Sequence, residues 1–304
     1  MSSRTTLLTA VYCLAILASG TDVTMGQERS DYYSTSATRT GADLSDWMKT
    51  VPDHLPLNFI SIPGTHDSCA LYGGDAVRCQ TLSIADQLKS GIRFLDIRCR
   101  AVGDSFAIHH GAYYQKIGFG DVQKQCIEFL RQHPNECIIM SVKKEQEARK
   151  GSLPFTTIFA NYVSQANDVW YLKHEIPRMG DVRGRIVLLS RERDLGGKTD
   201  DGLGGLTLWK HFIVEDHYSV PTAFHLPKKW DYVKANVDAA GFPHGAKCHL
   251  TYTNGVGGGG LPYAVARYIN KRLFNHITTT RYVGVVVMDF PGPKLIQRVI
   301  QSKN

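Results

Sequence analysis

The sequence has few of the features that mark membrane-spanning, zinc-binding or nucleic-acid-binding proteins. After the first twenty residues no run of eighteen apolar residues occurs, so we expect a soluble mature chain. No CxxC pair or Cys/His spacing typical of structural zinc is present, which argues against a zinc-stabilised fold. No RNP, helix-turn-helix or finger signature accompanies the net charge of +7. The basic balance therefore indicates an anionic membrane surface or simple solubility before it indicates nucleic acid.

The first twenty residues have the pattern of a secretory signal peptide. A positive start is followed by an apolar stretch over residues 7–17 and then by small residues. We therefore predict a secreted, extracellular protein with a signal peptide at 1–20. Residues 21–42 are rich in Ser, Thr, Asp and Arg and are predicted to be a disordered linker. Residues 43–304 are long enough for one large α/β domain.

Cysteine usage agrees with export. One of the seven cysteines, Cys13, lies in the predicted signal peptide, and an even set of six remains. An even number in an exported chain favours disulfides. The short intervening loop makes Cys69–Cys79 the favoured pair.

Short β-rich runs recur along the rest of the chain, and several are apolar without interruption. That pattern is typical of parallel strands buried on both faces. Helical patterns lie between most of the runs, for example at 120–133 and 262–277, so we predict a single distorted (βα)8 TIM barrel. The gap between the second and third runs is too short for a helix. The eight runs are 58–62, 94–100, 105–110, 137–144, 185–191, 211–216, 248–253 and 282–290.

Polar residues stand at or just after the carboxyl ends of most runs, which in such a barrel form one face. Any one of them alone is more often a turn residue or part of an ion pair. Their joint occurrence at seven of the eight run ends predicts a functional site. They are His66, Asp67, Asp96, Arg98, His109, His110, Lys143, Glu145, Arg191, Asp216 and Asp289.

Strand alternation indicates which of these side chains can meet. Asp96 and Arg98 are two residues apart and therefore share a face, as do Lys143 and Glu145. Arg98 among carboxylates would be a fixed cation able to bind a phosphate.

Two chemistries fit this set. Histidines from separate runs, each near a carboxylate, suit paired general acid–base catalysis. The alternative is a divalent metal ion, which Arg98 opposes because a guanidinium keeps its charge. The metal reading would use His66, Asp67, Asp96 and Glu145.

Seven stretches together resemble the bacterial-type phosphatidylinositol-specific phospholipase C family. They are ISIPGTHDS, FLDIRCR, AIHHG, CIIMSVKKE, GRIVLLSR, VEDHY and VVVMDF, in order between Leu44 and Ile300. The resemblance implies a distorted barrel and a cleavage without metal or other cofactor. The inositol 2-hydroxyl would attack the phosphodiester, releasing diacylglycerol and inositol 1,2-cyclic phosphate, which is then slowly hydrolysed.

The resemblance also implies roles for the two histidines. His66 looks like the general base on the 2-hydroxyl, with Asp289 orienting it. His110, the second histidine of HHG, looks like the general acid for the diacylglycerol oxygen, coupled to Asp67. Alternation places His109 on the opposite face, so we expect only His110 to reach the barrel mouth.

Further residues match the family's phosphate and inositol contacts. Arg98 is similar to the phosphate clamp, and Asp96 would hold it in place. Glu145 matches a carboxylate that binds calcium in the calcium-dependent relatives, which carry an acid where this chain has Arg98, so calcium independence is expected. The residues that match inositol contacts are Lys143, Arg191, Asp216 and Tyr218.

The sequence departs from the family at the membrane-contacting regions, which here contain no tryptophan. We expect a peripheral monomer that meets phosphatidylinositol at a membrane surface, through Leu71, Tyr72, Leu261, Tyr263 and basic charge. Trp209, the last residue of a glycine-rich loop at 193–209, is either a further membrane contact or a core residue. The expected substrates include glycosyl-phosphatidylinositol anchors as well as phosphatidylinositol. Alternatives for function are a phosphodiesterase with another head group or an inactive inositol-lipid-binding effector.

Overall fold

The computed structural model describes most of the predicted domain. The described residues are 30–191, 195, 204–241, 247–258 and 260–303. The predicted signal peptide, the linker up to residue 29 and most of the 193–209 loop lie outside them. Within the described ranges, no helix has the length and apolar character needed to cross a bilayer.

The described chain is a mixed α/β fold with strands and helices mostly in alternation. The strands are β1 (Ile62–Thr65), β2 (Phe94–Val102), β3 (Ser105–His110), β4 (Tyr113–Gly118), β5 (Ile138–Lys144), β6 (Trp170–Tyr171), β7 (Ile186–Ser190), β8 (Leu206–Thr207), β9 (Phe212–Glu215), β10 (Cys248–Tyr252) and β11 (Val285–Met288). The α-helices are α1 (Ile84–Lys89), α2 (Phe119–Gln132), α3 (Phe155–Ser164), α4 (Met179–Val182), α5 (Leu208–His211), α6 (Leu226–Ala240), α7 (Pro262–His276) and α8 (Pro293–Ile300). Short 3-10 helices cover Trp47–Thr50, Leu57–Phe59 and Ala223–His225.

The sheet is parallel along its main path and curls into a half-barrel. Its order is β6-β7-β5-β2-β1-β11-β10-β9, with β8 pairing to β7 as well. Among the described strands, no pairing joins β9 back to β6 or β8. The α/β, barrel-like prediction is confirmed, and the open side accounts for the distortion.

The third predicted strand has a different role from the one expected. β3 is not a parallel barrel strand, because it folds back antiparallel on β2 with Cys99 opposite Ile108. This hairpin is the physical reason that no helix separates the two runs. Beyond Ile108 the strand leaves β2, and its last two residues, His109 and His110, pair with β4.

The first strand begins later than the sequence pattern indicates. Part of the 58–62 run forms a 3-10 helix, and β1 itself extends through Pro63 and Gly64 to Thr65. A Cβ on Gly64 would lie 2.7 Å from the Cβ of Phe94 on β2. Glycine is therefore required for the two strands to approach, and the turn comes after Thr65.

The cysteines belong to the core. All six cysteines in the described residues are buried free thiols, so the expected Cys69–Cys79 disulfide is absent. Cys69, Cys99 and Cys126 pack in the apolar layer with α2, whereas Cys137 and Cys248 pack inside the curled sheet. Burial raises the pKa of Cys126, Cys137 and Cys248 to about 12. These three behave as small apolar side chains.

Residues 30–42, the part of the predicted linker that the structure describes, lie against the body. Tyr33 is 1% exposed, and its ring contacts that of Phe290 edge-on at 6.0 Å. Ser34 N donates to Phe290 O at 3.1 Å, and Thr81 Oγ1 donates to Ser36 O at 2.7 Å. The packed domain therefore begins before residue 43, because this segment covers the chain that follows β11.

Replacing Tyr33 by Ala should lower the free energy of unfolding by about 3 kcal/mol, because a fully buried ring is lost and a cavity remains. Tyr113→Ala, at an exposed tyrosine, is the matched control and should change it by less than about 0.5 kcal/mol. Urea denaturation followed by circular dichroism measures both. Equal effects would mean that residues 30–42 do not contribute to folding.

Candidate active site

The carboxyl ends of β1 and β11 meet Asp96 of β2 at the centre of the sheet, and the chain after β1 is held there by both neighbouring strands. His66 N donates to Met288 O at 3.0 Å, and Ser68 N donates to Asp96 O at 2.9 Å. Asp67 N donates to Asp96 Oδ2 at 3.1 Å, and Asp67 has a φ of +40°, which is rare for a residue with a side chain. The turn therefore directs consecutive side chains, His66 and Asp67, to different partners.

His66 lies between an acid and a guanidinium. Its Nδ1 is 2.9 Å from Asp289 Oδ1, and its Nε2 is 2.6 Å from Arg98 Nη2. An arginine can only donate, so Nε2 is the acceptor and Nδ1–H donates to Asp289. Burial, together with the Arg98 charge, holds the pKa of His66 well below its usual range. The ring is thus neutral, with a lone pair at Nε2 toward the mouth.

Arg98 is the cation at the centre of the cluster. Its Nε donates to Asp96 Oδ2 at 3.1 Å, and its Nη1 is 3.5 Å from both Asp67 Oδ2 and Glu145 Oε1. Burial alone would raise the pKa of Asp96, but Arg98 and Arg191 hold it well below its usual range. The guanidinium therefore stays charged and is held by fixed carboxylates.

Asp67 has no short hydrogen bond to its carboxylate in the described structure, although the group is fully buried. Its Oδ2 lies 3.5 Å from His110 Nδ1. Burial raises the pKa of Asp67 well above its usual range, while Arg98 opposes the shift. The expected contact between Asp67 and His110 is present but long.

His110 faces His66 across the mouth, with ring centroids 6.3 Å apart. Its Nδ1–H donates to Val77 O at 2.6 Å, which leaves Nε2 as the other functional nitrogen. Burial and the Arg98 charge lower the pKa of His110. His109 is buried against Tyr114, with ring centroids 5.7 Å apart. Of the two neighbouring histidines, His110 is the one in contact with the cluster.

The remaining predicted residues flank the cluster on the β5 and β7 sides. Lys143 Nζ donates to Glu145 Oε2 at 3.0 Å, and Gly111 N donates to Glu145 Oε1 at 3.0 Å. Arg191 reaches Asp96 Oδ1 at 3.7 Å and Asp216 Oδ2 at 3.8 Å. Ion pairs therefore connect all four side chains to Arg98 or Asp96, directly or through one partner.

Tyr218 lies farther out, on the rim. It is 55% exposed and lines an open groove of about 400 Å³ together with Asp216, His217, Lys228 and Tyr232. The groove widens the mouth on the β9 side.

Sequence reasoning missed four residues that complete the site. Tyr252 on β10 accepts from Arg191 at 3.1 Å, and Gln80 Nε2 donates to His66 O and Met288 O at 2.9 and 2.8 Å. Ser141 Oγ is 3.4 Å from Asp96 Oδ1, and the Cys79 thiol is 3.9 Å from His110 Nδ1. Tyr252 and Ser141 lie in predicted strands that carry other site residues or end near them, so their positions in the sequence could have marked them as candidates. Gln80 and Cys79 lie in a loop, where no pattern marks them.

In the metal-ion alternative, the carboxylates of Asp67, Asp96 and Glu145 would be ligands. Arg98 already lies within ion-pair distance of all three. A divalent ion placed among Asp67, Asp96 and Glu145 would lie next to a charge that cannot be removed. In the described residues, this donor set therefore fits the guanidinium of Arg98 better than a metal ion.

The chain is similar in sequence to known phosphatidylinositol-cleaving proteins. Residues 55–192 match the family model described as phosphatidylinositol-specific phospholipase C, X domain. A 1-phosphatidylinositol phosphodiesterase of Listeria monocytogenes is 29% identical over 284 residues, which cover 84% of each chain.

Two solved structures have the same architecture. The phosphatidylinositol-specific phospholipase C from Listeria monocytogenes superposes with a TM-score of 0.77 at 25% identity, over 86% of this chain and 100% of that one. A Staphylococcus aureus phosphatidylinositol-specific phospholipase C, from work on its membrane binding, gives 0.75 at 25% identity, over 86% and 98% of the two chains.

Replacing Arg98 by Gln should raise the pKa of both His66 and His110, because the charge that lowers both is removed. Arg100→Gln is the matched control and should raise the pKa of His109 instead, since Arg100 lowers that value. NMR titration of the imidazole Cε1–H signals measures all three. Unchanged His66 and His110 signals in Arg98→Gln would contradict the described geometry.

Proposed function

Because the chain belongs to the phosphatidylinositol-specific phospholipase C family, we propose that it is a phosphatidylinositol phosphodiesterase that needs no metal ion. The observation that carries the proposal is the placement of Arg98 between two histidines on opposite sides of one opening. A phosphodiester bound to the guanidinium would present one oxygen to each ring.

His66 is the general base in this proposal. Its Nε2 lone pair takes the proton of the inositol 2-hydroxyl while that oxygen forms a bond to phosphorus. Asp289 accepts from Nδ1–H at 2.9 Å and stabilises the imidazolium that results. The ring is neutral before the reaction, as a base requires.

Arg98 supplies the charge that a metal ion supplies elsewhere. Its guanidinium faces the nonbridging phosphate oxygens and stabilises the negative charge that develops as the ring closes. Asp96 and Glu145 keep it oriented without removing its charge. No reorganisation of solvent is then needed during the step.

His110 is the general acid. In its protonated form Nε2–H gives a proton to the diacylglycerol oxygen as the bond from that oxygen to phosphorus breaks. Val77 O fixes the ring through Nδ1, and the carboxylates of Glu145 and Asp96 favour the imidazolium. The products are diacylglycerol and inositol 1,2-cyclic phosphate, and water returning through the same two histidines would open the cyclic ester.

The inositol ring would lie toward β5, β7 and β9. The charged and polar groups there match the hydroxyls of a cyclohexane polyol. They are Lys143, Arg191, Asp216 and Tyr218. Lys143 is held by Glu145, and Arg191 and Asp216 hold each other. Glycosylated inositol lipids could extend into the groove beside Tyr218.

The protein is further proposed to be secreted and to act as a monomer on membrane surfaces. The support for secretion is the pattern of residues 1–20 alone.

The enzyme should release inositol 1,2-cyclic phosphate from phosphatidylinositol vesicles in the presence of EDTA, followed by phosphorus NMR. His66→Ala and His110→Ala should each lower kcat by about 10²- to 10⁴-fold, since proton transfer at one end is lost. His109→Ala is the matched control and should retain near-parental kcat. A strict requirement for calcium, or an inactive His109 variant in place of the His110 one, would exclude the mechanism.

The pH profile of kcat/KM should be a bell with its maximum on the acidic side of 6.5. Activity needs neutral His66 and protonated His110, so it rises through the pKa of His66 and falls through that of His110. Both pKa values are lowered by burial and by Arg98. Glu145→Gln should move the descending limb to lower pH, because Glu145 raises the pKa of His110. Initial rates between pH 4 and 9 measure the curve, and a maximum above 7.5 would contradict these assignments.

A lipid substrate requires contact with a bilayer, and Phe224 is the strongest candidate for that contact. It is 93% exposed in the 3-10 helix that follows the carboxyl end of β9, on the side of the mouth, with Lys228 nearby along the chain. Tyr72 and Leu261 are also exposed, whereas Leu71 and Tyr263 are partly buried. Sequence reasoning passed over Phe224 because a lone phenylalanine in a loop carries no pattern.

Trp209 is exposed and thus not a core residue, at 61%. Its carbonyl accepts from Lys247, which directly precedes β10, so it stands at the amino end of that strand and not at the mouth.

Phe224→Ala should weaken binding to phosphatidylinositol-containing vesicles by about 10-fold or more, because burial of a phenylalanine contributes about 1.5–3 kcal/mol. Trp209→Ala, which removes an exposed aromatic away from the mouth, should bind as the parent does. Sedimentation with sucrose-loaded vesicles measures both, and cleavage of a short-chain monomeric substrate should be equal in the two variants. Loss of binding in Trp209→Ala alone would place the membrane face elsewhere.

A further inference from the structure

A thiol lies between the two proposed acid–base groups, and the cleavage mechanism does not use it. Cys79 Sγ is 3.9 Å from His110 Nδ1 and 3.4 Å from Val77 O. It also lies within 4.8 Å of a carboxylate oxygen of Asp289, the partner of His66. The Cys79 side chain is 1% exposed, so its surroundings are almost entirely protein atoms.

Cys79 completes a set of metal-binding donors. One ligand atom each from His66, Cys79 and Asp289 lie within 4.8 Å of one another. Zinc binds sulfur at about 2.3 Å and nitrogen or oxygen at about 2.0–2.2 Å, so two ligands of one ion lie at most about 4.5 Å apart. The widest of these separations would have to shrink by roughly 1 Å to reach tetrahedral positions around one ion, with water as the fourth ligand.

The charges of this set fit a divalent cation. A thiolate from Cys79 and the carboxylate of Asp289 together neutralise two positive charges. The set also lies on the Nδ1 side of His66, whereas Arg98 contacts Nε2 on the other side of the ring. The guanidinium that excludes a metal ion from the carboxylate cluster is therefore separated from this position by the imidazole.

We propose that a thiophilic divalent cation, with zinc as the type case, binds His66, Cys79 and Asp289 and switches the enzyme off. The thiol loses its proton to water and the sulfur bonds to the metal. The His66 proton moves from Nδ1 to Nε2 as Nδ1 binds the ion, and Arg98 Nη2, which lies 2.6 Å from Nε2 and cannot accept, has to turn away from it. The lone pair that would accept the 2-hydroxyl proton is then gone, and this consequence for activity rests on the proposed role of His66.

Thiolate and imidazole ligands also set the selectivity of the site. Calcium and magnesium prefer oxygen ligands and would gain only one carboxylate here. The proposal therefore separates two responses: indifference to calcium and magnesium, and inhibition by zinc.

Binding is tested first, apart from activity. Cobalt(II) titrated into the full chain should give a thiolate-to-cobalt charge-transfer band that saturates at one ion and is displaced by zinc. Cys79→Ala should lose the band, and Cys126→Ala, which removes another buried thiol, should keep it. A parental protein without the band overturns the proposal even if Cys79→Ala fails to fold.

Inhibition is tested next, with each variant compared with its own rate in EDTA. Micromolar zinc should reduce the parental rate at least 10-fold and EDTA should restore it, whereas the same concentration of magnesium should not reduce it. The Cys79→Ala rate should fall less than 2-fold, and Cys126→Ala should respond as the parent does. Equal zinc inhibition in parent and Cys79→Ala overturns the proposal. An inactive parent that shows the cobalt band would overturn the proposed function alone.

Discussion

The contact between Arg98 and the lone pair of His66 organises the whole site. It determines the tautomer of His66, since an arginine cannot accept, and it brings a permanent positive charge to the point where carboxylates from β1, β2 and β5 converge. Buried acids without such a cation would be protonated or would bind a metal ion. With Arg98 present, the same acids hold its guanidinium in the orientation that suits phosphate binding.

Holding this contact in place requires support from distant parts of the chain. Gln80 ties the backbone of His66 to that of Met288, and Asn270 donates to Asp289 O. The N-terminal segment covers Phe290 through Tyr33. The site residues therefore lie at the centre of the sheet, and contacts from outside the sheet hold them in place. Residues 30–42 make one of these contacts and thus belong to the folded domain.

Much of this could be predicted because the position of the functional face follows from local rules. Apolar runs mark parallel strands, and the polar residues at their ends must share one edge of the sheet, so the amino-acid pattern alone groups His66, Arg98 and Asp289. The hairpin of β2 and β3 was not predictable in the same way. An antiparallel return and a barrel strand have the same alternation, and only hydrogen-bond pairing separates them.

The sequence by itself determined the residue types and the elements that carry them: two histidines, a fixed cation and their acids at strand ends. The tertiary structure alone decided three other matters. It left the cysteines as core thiols, it placed Cys79 beside His110 and within reach of the His66–Asp289 pair, and it exposed Phe224 in the 3-10 helix after β9. The physical reason is that each of these depends on contacts between residues far apart in the chain or on the exposure of a loop, and neither leaves a periodic mark in the sequence.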